Sequence, residues 1–226
     1  MKLDIEIADV IVRRFEALAS ASGKSVEELA QEALDSFVGS PKARRAILKA
    51  RRSVAKEGGY SLADLGWLDG YTGQTVDELL LYEATDKIHS ILFALETAIR
   101  EKLKSAGPLQ RTGVETIVLS VLALHREVNN GGYDQYFRNS SRHYAPAVVN
   151  HLVIISCTEI ADITQRALES LGISSISVAA IEAAMQTHNV QRDRDLNRCD
   201  LAFYEQTGLL ENLFSYVKAH QDGIKI

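Results

Sequence analysis

The sequence predicts a mainly α protein, with a small strand–helix–helix module at the N-terminus and an all-α helical domain at the C-terminus. Residues 2–7 alternate apolar and polar side chains, as a half-buried strand does. No alternating pattern appears after residue 75, where apolar residues recur at helical spacing instead. We therefore divide the chain into a module at 1–59, a connector at 60–74 and a helical domain at 75–226.

The composition of the chain indicates which broad class of protein it belongs to. The chain of 226 residues is 46% hydrophobic and 24% charged, which is typical of a folded soluble protein. Asp4, Glu6 and Asp9 interrupt any secretory segment, and the most apolar run, residues 145–157, is too short to span a bilayer. Two cysteines do not imply a disulfide framework. The sequence predicts a cytoplasmic protein with no membrane contact.

The first 39 residues contain one strand and two helices. Leu3, Ile5 and Ile7 form one face of the strand, and the first helix covers residues 10–22. Ser25 and Glu28 have the spacing of a capping box, which predicts that the second helix begins there; it ends at Gly39. A single strand leaves both of its edges unpaired, so we expect two chains to pair their strands in a homodimer.

This N-terminal stretch resembles the ribbon-helix-helix family of DNA-binding proteins and antitoxins. The resemblance rests on the alternating strand, the Gly23-Lys24-Ser25 turn, and Glu28-Leu29-Ala30 followed by Ala33-Leu34. In that family the outward strand residues read the major groove, and the start of the second helix holds a phosphate.

The resemblance implies that Lys2, Asp4 and Glu6 would read bases and that Lys24 and Ser25 would hold the phosphate. Asp4 and Glu6 depart from expectation, because two carboxylates weaken binding to a polyanion. The alternative is a dimerisation module without DNA affinity.

A third helix is predicted between Pro41 and Gly58-Gly59. It carries seven basic residues before its first acid, namely Lys42, Arg44, Arg45, Lys49, Arg51, Arg52 and Lys56. We take Arg44, Arg45, Arg51 and Arg52 as DNA-binding candidates. The acidic domain that follows, or solvent alone, would also accommodate this basic face.

Residues 60–74 are predicted to be a connector that docks through its apolar side chains. After it, the sequence predicts helices at 76–105, 114–128, a short helix after residue 132, 146–168, 176–185, 196–205 and 209–220. Gly107-Pro108 ends the first of these, and Pro146 opens the fourth.

The most distinctive stretch is residues 127–139, which we call the corner segment. Asn129, Asn130, Gly131 and Gly132 tolerate unusual backbone, so the sequence predicts that a helix ends near Glu127 and reverses there. An aromatic face at helical spacing follows, made of Tyr133, Tyr136 and Phe137. The segment also concentrates polar groups of fixed geometry, namely Glu127, Asn129, Asn130, Gln135 and Asn139.

Residues 75–226 resemble the family typified by DNA-mimic protein nineteen. The resemblance rests on residues 127–133 with 135–137 and Asn139, on the apolar helix after Pro146, and on residues 200–204 and 213–217. It implies an all-α fold. For the type member it also implies an acidic surface that imitates DNA and occupies a transcription regulator.

Familiar motifs for catalysis or metal binding are absent from the sequence, which contains no phosphate loop, no His-Glu-x-x-His and no Cys-x-x-Cys. His143 and His151 could approach each other, although a metal would need further ligands. His125 and Glu127 are the best acid–base pair that the sequence offers. Cys157 lies in a predicted apolar helix and is expected to be inert. No cofactor and no metal site is predicted.

Two hypotheses follow. The first is a non-enzymatic bacterial regulator of transcription or antitoxin type, which dimerises, contacts DNA through its N-terminal module and binds a protein partner (a regulator or a toxin) through the corner segment. The alternative is an enzyme or small-ligand-binding protein of unknown reaction that uses the polar groups of the corner segment. A pocket enclosing those groups would favour the alternative, whereas hydrogen bonds spent inside the fold would indicate a structural role.

Overall fold

The computed structural model describes residues 25, 26, 28, 66–68 and 70–226. Within the first group, the Ser25 amide donates to Glu28 over 2.8 Å and the Glu28 amide donates to Ser25 over 3.1 Å, so the predicted capping box is confirmed. The other predicted features of the N-terminal module lie outside the described residues. They include the strand, the basic helix, and Lys2, Asp4, Glu6, Lys24, Arg44, Arg45, Arg51 and Arg52.

The residues described from position 66 onward are mainly helical, which confirms the all-α prediction for this region. The α-helices are α1 (Val76–Leu81), α2 (Ile88–Ala106), α3 (Gly113–Arg138), α4 (Ala145–Ile154), α5 (Thr158–Glu169), α6 (Val178–Gln186), α7 (Val190–Tyr204) and α8 (Leu209–Ala219). Short 3₁₀ turns cover Tyr82–Ala84, Pro108–Gln110, Ser140–Tyr144 and Gln221–Gly223. Across this described part, no helix has the length and apolarity needed to cross a membrane.

Helix α3 is the centre of the domain. It packs against α2, α4, α6, α7 and α8. Its apolar residues are buried around the whole circumference, including Val118, Leu119, Val121, Leu122 and Leu124. A helix that is apolar on every side requires neighbours on every side, and the other helices supply them.

The start of α3 is held by a buried carboxylate. Thr112 and Glu115 form a capping box, in which each side chain accepts from the other's backbone amide. The Glu115 side chain is fully buried and also binds the Lys102 ammonium of α2 over 2.5 Å. It accepts a third partner, the Lys225 amide, over 2.8 Å. One carboxylate thus joins α2, α3 and the C-terminal segment.

The prediction of one continuous helix over residues 76–105 is wrong, because two separate helices, α1 and α2, cover this range. The chain leaves the helix after α1 and re-enters it at Ile88. Between them, the Lys87 amide donates to the Gly66 carbonyl over 2.9 Å, and the Gly66 amide donates to the Thr85 carbonyl over 2.7 Å. Backbone groups that pair with a distant segment cannot also pair within a helix. The predicted stop at Gly107 is confirmed.

The prediction of one continuous helix after Pro146 is also wrong, because the chain forms two helices there, α4 and α5. Ser156 has φ +62°. The Cys157 amide donates to the Leu152 carbonyl, and the Ser156 amide donates to the Val153 carbonyl. This pair of hydrogen bonds is a Schellman motif, which normally uses glycine at the left-handed position. Serine stands there instead, so no stop signal is visible in the sequence. Cys157 consequently lies in the turn that precedes α5, and its expected place inside an apolar helix is wrong.

Candidate functional site

The corner segment is an interruption within α3, and the predicted helix end near Glu127 is wrong. Helical backbone continues through Asn130, is lost at Gly131 and Gly132, and resumes at Tyr133. Gly132 has φ +74°. A Cβ atom on Gly132 would lie 2.7 Å from the Asp200 carboxyl carbon. Glycine is therefore required at position 132 by both the backbone and the close approach of α7. We call residues 129–132 the break.

Two side chains of α7 close the break. The Asp200 carboxylate accepts from the Tyr133 amide over 2.7 Å, and so it caps the restarted helix as a local N-cap residue would. The Tyr204 hydroxyl donates to the Val128 carbonyl over 2.9 Å, a group left without its normal helical partner. Both orphaned ends of the interruption are satisfied from one neighbouring helix.

The aromatic face predicted after the break is present and fully buried. Tyr133, Tyr136 and Phe137 are 0% exposed. The Tyr133 hydroxyl donates to Thr164 over 2.7 Å, because the Thr164 hydroxyl itself donates to the Ile160 carbonyl. Burial raises the pKa of Tyr133 far above its ordinary value. These aromatic residues hold the restarted helix against the core.

Glu127 gathers the polar groups on the other side of the break. Its carboxylate accepts from Gln135 over 2.7 Å, from Asn139 over 2.8 Å and from Ser141 over 2.9 Å. Burial alone would raise the pKa of Glu127. The three hydrogen bonds together outweigh burial and the nearby Arg126 adds to them, so the pKa lies below its ordinary value. Glu127 is an ionised acceptor that ties the two parts of α3 to the following 3₁₀ turn.

The remaining polar residues of the corner segment do not join this network. Asn129 is exposed, and its amide donates to the His125 carbonyl one turn earlier. Asn130 is exposed as well, and no hydrogen bond of its side chain is found within the described part of the chain. The five polar groups that the sequence singles out therefore do not form one pocket: Glu127, Gln135 and Asn139 meet, and Asn129 and Asn130 face solvent.

His125 and Glu127 do not form an acid–base pair, because residues two apart on a helix point in different directions. His125 instead faces His89, with ring centroids 6.1 Å apart. Burial, followed by the charges of His89 and Arg126, lowers the pKa of His125. Cys157 and Cys199 are buried and free, and burial raises the pKa of each thiol.

Sequence reasoning missed the partners that complete the break. Asp200 and Tyr204 were noted only within a resemblance, and Ser141 and Thr164 were not singled out. No local signal connects Asp200 with Tyr133, since they are 67 positions apart. The spacing of Asp200 and Tyr204, one turn apart on a single helix, is the signal that was available.

The fold and the site define an all-helical domain built around a central helix that two glycines interrupt and a second helix caps. Residues 111–220, which contain the break and both capping side chains, match the family model described as DMP19-like protein. This supports the resemblance stated for the C-terminal domain over a shorter range than 75–226. The ribbon-helix-helix resemblance has no such support and stays a prediction. Neither curated proteins nor solved structures gave a match.

Proposed function

We propose that this protein is a non-enzymatic regulatory interaction protein and that its helical domain binds a protein partner. The DMP19-like match supports an interaction domain. The use of Gln135, Asn139 and Ser141 to satisfy Glu127 supports a structural role for these polar groups, because their hydrogen bonds are spent inside the fold.

The observation that carries the proposal is an exposed apolar pair beside the break. Leu201 is 66% exposed and Tyr204 is 49% exposed, and both lie on the same face of α7. Tyr204 is tied to Val128, so this face adjoins the exposed amides of Asn129 and Asn130. Exposed aromatic and aliphatic side chains rimmed by polar groups are typical of protein interfaces.

The net charge of the helical domain indicates how it would recognise a protein partner. Residues 75–226 carry fourteen basic and nineteen acidic side chains, a net charge of −5 that is ordinary for a domain of this size. A surface that imitates DNA needs a dense array of carboxylates. We therefore propose that shape and hydrogen bonding at the break, rather than charge alone, select the partner.

Photocrosslinking tests the interface. A photoreactive phenylalanine analogue placed at Leu201 should yield one discrete adduct in cells that produce the protein. The matched control is Leu109, which is 96% exposed and precedes α3. Gly113, the first residue of α3, is about 25 Å along the helix axis from the break. Equal labelling from both positions would indicate nonspecific apolar contact and would defeat the proposal. Leu201→Asp should abolish crosslinking from an adjacent position such as Asn197.

For the N-terminal module, we propose dimerisation through the strand at residues 2–7 and contact with DNA. Binding of full-length protein to own-promoter and random duplexes, titrated over salt, tests the DNA contact. Tight and salt-sensitive binding would support it, because released counterions make such affinity fall steeply with salt. Absence of binding at low salt would leave a dimerisation module.

Deletion of residues 1–39 tests the dimer. The shortened chain should sediment as a monomer while its helical circular dichroism is retained, because the strand that is proposed to pair has been removed. A shortened chain that still sediments as a dimer would contradict the proposed interface.

A further inference from the structure

A cavity of about 670 Å³ lies where α2, α3 and α4 meet the 3₁₀ turn Ser140–Tyr144. This volume falls in the range of small-molecule sites. Its lining includes Arg100, Arg111, Arg126, His143, His151 and Tyr144. Glu127 is the only acidic side chain among the described residues that line it. Neither Leu201 nor Tyr204 lines the cavity, which was not foreseen from the sequence.

The arginines are incompletely neutralised. Arg100 and Arg126 share one carboxylate, that of Glu96, over 2.6 Å and 3.0 Å. One negative charge between two guanidinium groups leaves one positive charge in excess. Both arginine side chains remain accessible, since each is 44% exposed.

Arg111 adds a further positive charge. Within the described part of the chain it makes no ion pair, and its guanidinium lies 5.9 Å from the centre of the Tyr144 ring. Glu127, the acid in the wall, is ionised and accepts from three side chains. Counting Glu96 and Glu127 against the three arginines still leaves the site positive.

A buried histidine completes the wall. His151 on α4 is only 9% exposed, and its Nδ1 atom is buried with no hydrogen-bond partner among the described residues. A buried polar atom without a partner is uncommon in folded proteins and often marks a place where a ligand, ion or water completes the structure. Burial, followed by the charge of Arg111, lowers the pKa of His151, so the neutral imidazole predominates at pH 7.

We propose that this cavity binds a small molecule through an oxyanion, a phosphate or carboxylate group, held by Arg111 and Arg126 with His151 at its side. Guanidinium groups match the geometry of both oxyanions by donating two parallel hydrogen bonds. The bound anion offsets the positive charge beside His151 and so favours its protonated form.

The test is NMR of the histidine rings of the full-length protein, with inorganic phosphate or succinate added up to about 10 mM at constant ionic strength, a range that covers millimolar affinity. We expect a saturable shift of the His151 signals with at least one of the two anions, and a rise in the His151 pKa at saturation. Saturation with phosphate alone would assign the group as phosphate, and saturation with succinate alone would assign it as carboxylate. Failure of both anions to saturate would overturn the proposal.

Two variants of Arg111 and one control variant test whether the anion binds in this cavity. Arg111→Gln should weaken binding at least about tenfold, and Arg111→Lys should weaken it less, because lysine keeps the charge but loses the two-pronged contact. Arg194→Gln, an exposed arginine on α7 outside the cavity, should leave binding unchanged. Unaltered thermal melting would show that Arg111→Gln still folds. Equal affinity in Arg111→Gln and the native protein would also overturn the assignment.

Discussion

Helix α3 begins twice, and the two starts differ in where their caps come from. At Thr112 the cap is local, because Thr112 and Glu115 satisfy each other's amides within four residues. At Tyr133 the cap is remote, because Asp200 reaches in from α7. The same need, to satisfy amides at the start of a helix, is met by adjacent sequence in one place and by tertiary structure in the other. The difference between the two starts shows that a distinctive stretch of sequence can have a structural role that depends on hydrogen-bond partners far away in the chain.

The largest loss of stability is expected from a substitution at the first start of α3, where the cap is local. Glu115→Gln should lower the free energy of unfolding by about 3–5 kcal/mol, because the mostly buried Lys102 would lose its charge partner. Urea denaturation measures the change, and Thr112→Ser, which keeps the capping hydroxyl, is the control. A loss below about 1 kcal/mol would mean that the pair behaves like a surface salt bridge.

A substitution of Gly132 tests the second start of α3, where the cap comes from α7. Gly132→Ala should cost about 1–2 kcal/mol from the left-handed backbone, and about 1 kcal/mol more if Asp200 is pushed away from the Tyr133 amide. Gly113→Ala, at the first start, meets open space and should be neutral or stabilise by about 0.5 kcal/mol. In thermal or urea denaturation, Gly132→Ala should thus be destabilising and Gly113→Ala should not. Equal effects would remove the distinction between the two starts.

Glu127→Gln tests the polar side of the break. We expect a loss of about 1–2 kcal/mol, because three donors lose a charged acceptor that water replaces only in part. The pKa of Glu127 is lowered in the folded state, so its contribution is present above the unfolded pKa and is lost as pH falls through the folded pKa.

Urea denaturation as a function of pH measures this loss. Stability of the native protein should fall more steeply on acidification than that of Glu127→Gln. The control is Glu205→Gln, at an exposed acid, which should follow the native curve. Parallel curves for Glu127→Gln and the native protein would contradict the proposed ionised network.

The smallest effect is expected from Asp200→Asn, since asparagine caps helices about as well as aspartate. Burial raises the pKa of Asp200, although the Tyr133 amide opposes this, so the folded state holds the proton more tightly than the unfolded state. Stability from this group therefore falls as pH rises from the unfolded pKa through the folded pKa, and Asp200→Asn should lack that component. Asp200→Ala should cost about 1 kcal/mol through loss of the cap. If Asp200→Asn cost as much as Asp200→Ala, the carboxylate would have a role beyond capping.

Sequence reasoning was most successful where signals were local. It found the Ser25–Glu28 capping box, the stop at Gly107, the aromatic face after residue 132 and the all-α character of the second domain. It failed where a helix was broken by contacts from elsewhere, as between α1 and α2, or where Ser156 took a position that glycine usually occupies. It also failed to find the arginine-lined cavity, whose lining comes from α2, the loop before α3, α3 itself, the 3₁₀ turn and α4.

By itself, the sequence determined that helices would fill the second domain, that glycines would free the backbone at residues 131–132, and that Tyr133, Tyr136 and Phe137 would form one apolar face. Those outcomes depend on intrinsic backbone preferences and on periodicity along one segment. Only the tertiary structure decided that α3 continues past Glu127, that Asp200 and Tyr204 close the break, and that Asn129 and Asn130 stay exposed while Gln135 and Asn139 bind Glu127. The physical reason is that an orphaned amide or carbonyl can be satisfied by any group that packing brings within hydrogen-bond distance, and distance in space is not encoded in the spacing of one segment.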